Sequence, residues 1–233
     1  MLRLVNNYAA YINAQVEVLK NKPKEQRLPV SPFITISRQT GAYGLTISKG
    51  LCDYLKAKDK NPQHPWTVFN KEIIKKITEH EALTETVLPY LPASAIVQTQ
   101  EIMQSTYGFH ANQDAMVLSD NKTILQLAQL GYAIFLGMGS NIITSKLSGG
   151  FHIRLISPFE DRVEHIGEYY PMSEKEAKEY IYTEEGNRHN YVRKYFEKDI
   201  DDPMLYDMVI NVDKIQPESV IQIIGDLILK RCG

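Results

Sequence analysis

The residues best suited to chemistry lie in "FITISRQTGAYGLTISKG", residues 33–50, where Gly41 and Gly44 follow a β-branched run and precede a segment with helical spacing. Glycines so placed let successive backbone N–H groups turn towards one anion, and the following helix presents its positive end to that anion. The chemistry of such a turn is phosphate binding. Its usual signature is G-x-x-x-x-G-K-[ST], in which the lysine carries charge to the transferring phosphate. Here Arg38 stands at the first glycine, and Gly44 and Leu45 stand where lysine and hydroxyl belong.

Phosphoryl transfer is mainly positioning plus cancellation of negative charge, so an active version of this loop needs cations around it. Arg38 leaves the strand at the start of the loop and either faces the phosphates or pairs with a neighbouring acid to shape the loop. Lys49, four residues after Leu45 on the same helical face, either leans back to the loop or is solvated. Arg162 in "SPFEDRVEHI" follows a strand at the sheet edge where ligands bind, with a salt bridge to Glu160 or Glu164 as the alternative. Arg154, inside that strand, needs a buried partner. For a magnesium ion, Thr46 or Thr40 offers a hydroxyl and Asp161 is the nearest carboxylate by topology. The six histidines show no ligand spacing, and no Ser, His and Asp set has motif support, so hydrolase and metalloenzyme readings fall away.

The elements that must position these residues alternate in type: strand "FITIS", helix "LTISKGLCDYLKA", strand "WTVF", helix "NKEIIKKITEH", strand "YAIFLG", helix "NIITSKLS", strand "FHIRLIS", a long helical pair, strand "DMVINV" and helix "PESVIQIIGDLILKR". Five strands separated by helices predict an α/β fold, a parallel sheet with helices on both faces. Ahead of it, Leu2, Val5, Tyr8, Ala9, Ile12, Val16 and Leu19 keep a 3.6-residue period. That amphipathic helix packs on the main domain or on a second copy, and a homodimer is one expectation. The proline-bearing "NKPKEQRLPVSP" then reads as a linker. The segment at about 81–130 reads as a helical insertion of the kind that covers a substrate.

At 233 residues and 43% hydrophobic composition the chain can bury a sizeable core. Its 26 basic and 28 acidic residues form no block of one sign, so no nucleic-acid partner is expected. The alternating N-terminus lacks a signal-peptide core, and no apolar run is long enough to span a bilayer, so a soluble cytoplasmic protein without a membrane partner is expected. Cys52 and Cys232, far apart in sequence, read as reduced thiols.

"ITISRQTGAYG", "FNKEII", "FLGMGSNII", "GGFHIRLISPFEDRVEHI", "MSEKEAKEYI", "EEGNRHNYVRKYF" and "DDPMLYDMVINV" resemble, in order, the cytidylate kinase-like family of P-loop proteins. The resemblance implies a nucleoside monophosphate kinase-like fold: a five-stranded parallel sheet, a phosphate loop after the first strand, a nucleotide-covering insertion and an arginine-bearing lid. It divides the chain into an N-terminal helix and linker at 1–31 and a P-loop domain at 32–233, with a lid at about 171–200. It implies transfer of a γ-phosphoryl group from ATP, with Mg2+, to a nucleotide or another small-molecule acceptor. Thr40, Gly41, Ala42, Tyr43, Gly44, Leu45, Thr46 and Arg162 would then hold the nucleotide, with Thr46 towards the metal. Arg38, Arg188 and Arg193 would offset charge, Arg188 lying in the family's motif of acid, arginine and aromatic, here Glu185, Arg188 and Tyr191.

The loop departs from the family's usual residues at Gln39, Tyr43 and Leu45. On the acceptor side Asn70 stands where an aspartate is usual, and Met138 where cytidylate kinases direct an arginine at the acceptor phosphate. Two expectations follow: a phosphotransferase acting on an acceptor other than cytidylate, and a non-catalytic nucleotide sensor that keeps the cradle without the lysine and the acceptor arginine.

Overall fold

A computed structural model describes residues 2–21, 31–59, 64–80, 86–107 and 114–232. Most of the linker, the stretches 81–85 and 108–113, and the side chain of Cys232 lie outside the described residues. The elements run α1 (Leu2–Asn21), β1 (Phe33–Arg38), α2 (Gly44–Lys58), β2 (Thr67–Phe69), α3 (Lys71–Glu79), α4 (Ala93–Tyr107), α5 (Ala115–Leu130), β3 (Ala133–Leu136), α6 (Ser140–Ile143), β4 (Gly150–Ile156), α7 (Phe159–Tyr169), α8 (Glu174–Phe196), β5 (Met208–Asn211) and α9 (Pro217–Cys232).

The five strands form one parallel sheet in the order β2-β3-β1-β4-β5. Strand β1 is central because it is buried on both faces: Phe33 and Thr35 point one way, Ile34 and Ile36 the other, and all four are fully buried. On one face Phe33, Phe69 and Phe135 pack with α1, α3, α4, α5 and the end of α8. On the other, Ile34, Ile36, Ile134 and Ile153 pack with α2 and α9. Each fully buried Ile or Phe of this kind contributes about 1.5–3 kcal/mol. The strand order reverses at β1, so the crevice beyond its carboxyl end opens between β3 and β4.

Helix α1 packs on the chain's own core through Tyr11, Ile12, Val16 and Leu19, and the Tyr11 hydroxyl donates to the Gly131 carbonyl at 2.5 Å. Within 81–130 the described residues form α4 and α5, and α5 is buried almost throughout from Asn121 to Leu130 and leads straight into β3. The helix expected over "NIITSKLS" is a single turn, Ser140–Ile143. The Ser145 N–H turns back to the Ile142 carbonyl, and the chain must reverse through Gly149 at φ 93° to enter β4. Among the described residues, no helix is long and apolar enough to cross a membrane.

Candidate functional site

The loop between β1 and α2 makes a turn that its sequence can adopt only with help. Gly41 sits at φ 87°, and a Cβ there would meet the Arg162 carbonyl oxygen at 2.7 Å, so the position requires glycine twice over. Tyr43, the residue before α2, is also left-handed, at φ 53°. Its ring stacks on His165 with centroids 3.8 Å apart, and the His165 Nδ1–H donates to the Gly41 carbonyl at 2.7 Å. These contacts offset the cost of about 1–2 kcal/mol for a left-handed non-glycine residue.

Within the loop the Ala42 N–H is used by the Gln39 carbonyl and the Gln39 N–H by the Leu155 carbonyl. Among the described residues no acceptor takes the N–H groups of Gly41, Tyr43, Gly44, Leu45 or Thr46. These form the concave row of donors, at the start of a fifteen-residue helix, that phosphate oxygens fit.

Two elements fix the loop from outside. From α7, Arg162 is only 5% exposed and lies beneath the loop: its Nε donates to Ser157 O at 2.9 Å and its Nη1 to Thr40 O at 3.3 Å. From α8, the Glu185 carboxylate pairs with Arg162 Nη1 at 2.6 Å and accepts the Thr40 N–H at 3.0 Å. One turn further on, Arg188 Nη1 donates to Thr40 Oγ1 at 2.8 Å and to Arg38 O at 3.4 Å. Glu185 and Arg188 are three residues apart and so share a helix face. Helix α8 itself is one unbroken element, started by a capping box between Ser173 and Glu176.

The Arg38 side chain runs across Gly44, where a Cβ would lie 2.7 Å from Arg38 Cγ, and its guanidinium rests over Gly137 at the end of β3. Among the described residues it has no hydrogen bond or ion pair. Burial, and then the Arg188 charge, lower its pKa to about 10. Arg188 is lowered by its own burial, against the opposing charges of Glu184 and Glu185. Two cations thus lie beside a row of open backbone donors, and the Glu184 carboxylate, 3.5 Å from Arg188, offsets part of their charge.

The sequence profile of the cytidylate kinase-like family matches residues 33–214, from β1 past β5. The chain belongs to the cytidylate kinase-like family. Its architecture, five parallel strands flanked by helices, is an α/β fold. An uncharacterized protein from Eubacterium ventriosum has 17% identity and a TM-score of 0.66, with 85% of this chain and 98% of that chain covered. Shikimate kinase from Bacteroides thetaiotaomicron has 11% identity and a TM-score of 0.45, covering 84% of this chain and 97% of that one. TT1252 from Thermus thermophilus has 11% identity and a TM-score of 0.47, covering 85% and 97%. No curated protein sequence matches the chain.

Within this cytidylate kinase-like domain, the residues expected at the site separate into three groups. Thr40, Gly41, Tyr43, Gly44, Arg38 and Arg188 come together at the loop, whereas Ala42 is buried in the core and offers only backbone. Arg162 braces the loop from below instead of meeting ligand at its mouth, a correction that follows from its burial and its partner Glu185. Arg188 touches the loop through Thr40 Oγ1. Arg193, Lys49, Leu45 and Thr46 have exposed side chains.

On the acceptor side, the Asn70 side chain caps α3 by accepting the Ile73 N–H at 3.0 Å, so its oxygen is already used. Met138, at φ 62°, packs against the core, and a Cβ on Gly139 would meet the Phe196 ring at 2.6 Å. That edge is therefore shaped by apolar groups. Arg154, as its strand position required, is buried with Ser37 Oγ as acceptor at 2.9 Å and Asp201 as ion-pair partner.

The side chains do not fit a protein-anchored magnesium ion. Thr40 Oγ1 accepts from Arg188, the residues after β3, Gly137, Met138 and Gly139, offer no carboxylate, and Asp161 faces Asp213 and Lys214. His189, Asp199 and Asp201 form the one metal-like cluster among the described residues, but Asp201 is held by Arg154 and His189.

His165 is the functional-looking residue that sequence reasoning passed over, and Glu185 entered only as the acid of the Arg188 motif, without a role. The signal for Glu185 was its three-residue spacing from Arg188. His165 lies three residues after Arg162, on the face of α7 that meets the loop.

Proposed function

We propose that the protein is a cytoplasmic phosphotransferase that uses a nucleoside triphosphate, ATP in the first instance, to phosphorylate a small acceptor. The observation that carries this reading is the convergence of Arg38 and Arg188 on the open N–H groups of the Gly41 to Gly44 loop. The loop amides and the start of α2 would hold the β- and γ-phosphates. Arg188 would cancel charge on the γ-phosphoryl group, and Arg162 and Glu185 would keep the loop in its binding shape. ATP supplies the phosphoryl group and brings magnesium, if it uses it, on its own phosphates. The acceptor would lie towards β3, where Met138 stands in place of the arginine that cytidylate kinases direct at the acceptor phosphate, which favours an acceptor other than cytidylate.

The missing magnesium anchor favours a second reading, a nucleotide sensor that binds without turnover. Thermal unfolding with millimolar ATP, with and without magnesium, tests nucleotide binding, and release of ADP over a panel of hydroxyl- and phosphate-bearing acceptors separates the two readings. A rise of several degrees with acceptor-dependent ADP release is the expected result. A rise without turnover leaves the sensor, and no rise overturns both.

A further inference from the structure

Residues 38 and 44 are where this loop departs most from the lysine-bearing pattern, and the two positions meet in space. The pattern G-x-x-x-x-G-K-[ST] has a glycine at the first and the cation at the second. In this chain the cation is at 38 and the glycine at 44. A Cβ at Gly44 would lie 2.7 Å from Cγ, 3.1 Å from Cδ and 3.3 Å from Cβ of Arg38. The space a lysine stem would leave from is therefore filled by the arginine stem.

We propose that Arg38 is the catalytic cation of the loop, supplying from position 38 the charge that lysine-bearing loops supply from position 44, and that Gly44 is glycine so that Arg38 can pass. The proposal rests on the phosphotransferase reading. Three observations carry it. The guanidinium reaches past Gly44 to Gly137, the residue after β3, and so lies between the phosphate loop and the acceptor edge, where a transferring group must sit. Among the described residues it makes no ion pair, unlike Arg154 and Arg162, and the Glu184 carboxylate that acts on it is paired with Arg188 instead. It stands beside the like charge of Arg188, an arrangement that bracing alone does not explain.

In the transfer, the acceptor oxygen bonds to the γ-phosphorus as the bond to the β,γ-bridging oxygen breaks. The electron pair leaves with the nucleoside diphosphate, and the proton of a hydroxyl acceptor passes to solvent. Arg38 stays protonated throughout and holds the equatorial oxygens through its N–H donors.

The test measures binding of ATP and of inorganic tripolyphosphate by calorimetry to the wild type, Arg38→Met, Arg38→Lys, Gly44→Lys and the exchange variant Arg38→Gly/Gly44→Lys, with unliganded melting temperatures for each. Arg38→Met is expected to weaken both probes about 10- to 100-fold, the effect of losing charge-assisted hydrogen bonds, while its unliganded melting temperature stays level or rises. Arg38→Lys should keep part of the affinity. The exchange variant should recover at least tenfold over Arg38→Met, and Gly44→Lys alone should not bind better than wild type, because both stems need one space. Wild-type affinity in Arg38→Met overturns the proposal. So does a fall of more than about 5 °C in its unliganded melting temperature, which would make Arg38 a brace, or an exchange variant no better than Arg38→Met. If the wild type binds neither probe, the phosphotransferase reading itself fails.

Discussion

Removing the Glu185 carboxylate should loosen the phosphate loop and lower stability by an amount that the contacts determine. Its partner Arg162 has a side chain 6% exposed, and Glu185 is 21% exposed at a 2.6 Å separation. Breaking a fully buried ion pair costs about 3–5 kcal/mol. Arg162 keeps two carbonyl acceptors, Ser157 O and Thr40 O, so part of its charge stays solvated by the protein. The loss from Glu185→Ala is then about 2–3 kcal/mol, the scale of charge-assisted hydrogen bonds. In a domain of this size that lowers the melting temperature by about 4–12 °C. Glu185→Gln keeps an acceptor for the Thr40 N–H and should lose about half as much. Thermal unfolding by circular dichroism, with Arg162→Met and the double variant completing a cycle, measures the coupling. A coupling below about 0.5 kcal/mol, or both Glu185 variants melting within about 1 °C of wild type, would refute the brace.

Gly41→Ala combines a left-handed φ with a backbone collision and should cost about 2–4 kcal/mol, read by denaturant unfolding; a loss under about 1 kcal/mol would mean that the loop can shift freely. Gly44→Asp places a carboxylate against Arg38 and should abolish the ATP-induced rise in melting temperature, whereas a retained rise would locate the nucleotide elsewhere. Two histidines should titrate on opposite sides of the ordinary value of about 6.5 in an NMR pH series. Burial alone would lower His189, but the hydrogen bonds from Asp201 and the Glu185 carbonyl, with the Asp201 charge, raise it. Its contribution to stability is full below about pH 6.5 and is lost as pH rises through the folded value. Burial lowers His152 against the Asp207 charge, so its contribution is present above about pH 6.5 and is lost as pH falls. The reverse order of midpoints would contradict both environments.

The strands were legible because burial on both faces leaves a direct mark in residue type. Ile134, Phe135 and Leu136 form an unbroken apolar run in β3, and in β1 Thr35 alone interrupts Phe33, Ile34 and Ile36. Helix α1 was legible by its period, since Ile12, Val16 and Leu19 sit on the buried stripe. Helix α6 was misjudged in length because "NIITSKLS" has helical spacing throughout, while the chain reversal at Gly149 acts from outside the window. At the site, the sequence located the loop but not who holds it. Whether Arg162 faces ligand or a carboxylate depends on Glu185, twenty-three residues away on another helix, and pairings across elements leave no local pattern.

That pairing also changes how α8 must work. A lid that swings needs a hinge and few contacts in its open state, yet α8 is continuous from Glu174 to Phe196 and touches the site through successive turns. Near its middle Glu185 and Arg188 hold Thr40, and at its end Val192 and Phe196 are buried in the core, with the Phe196 ring against Gly139 on the acceptor edge. One continuous helix therefore contacts both the Gly41 to Gly44 loop and the edge at Gly139. The cost of bringing Arg38 and Arg188 together is met when the chain folds, so on the proposed function an entering triphosphate would find its cations already in place.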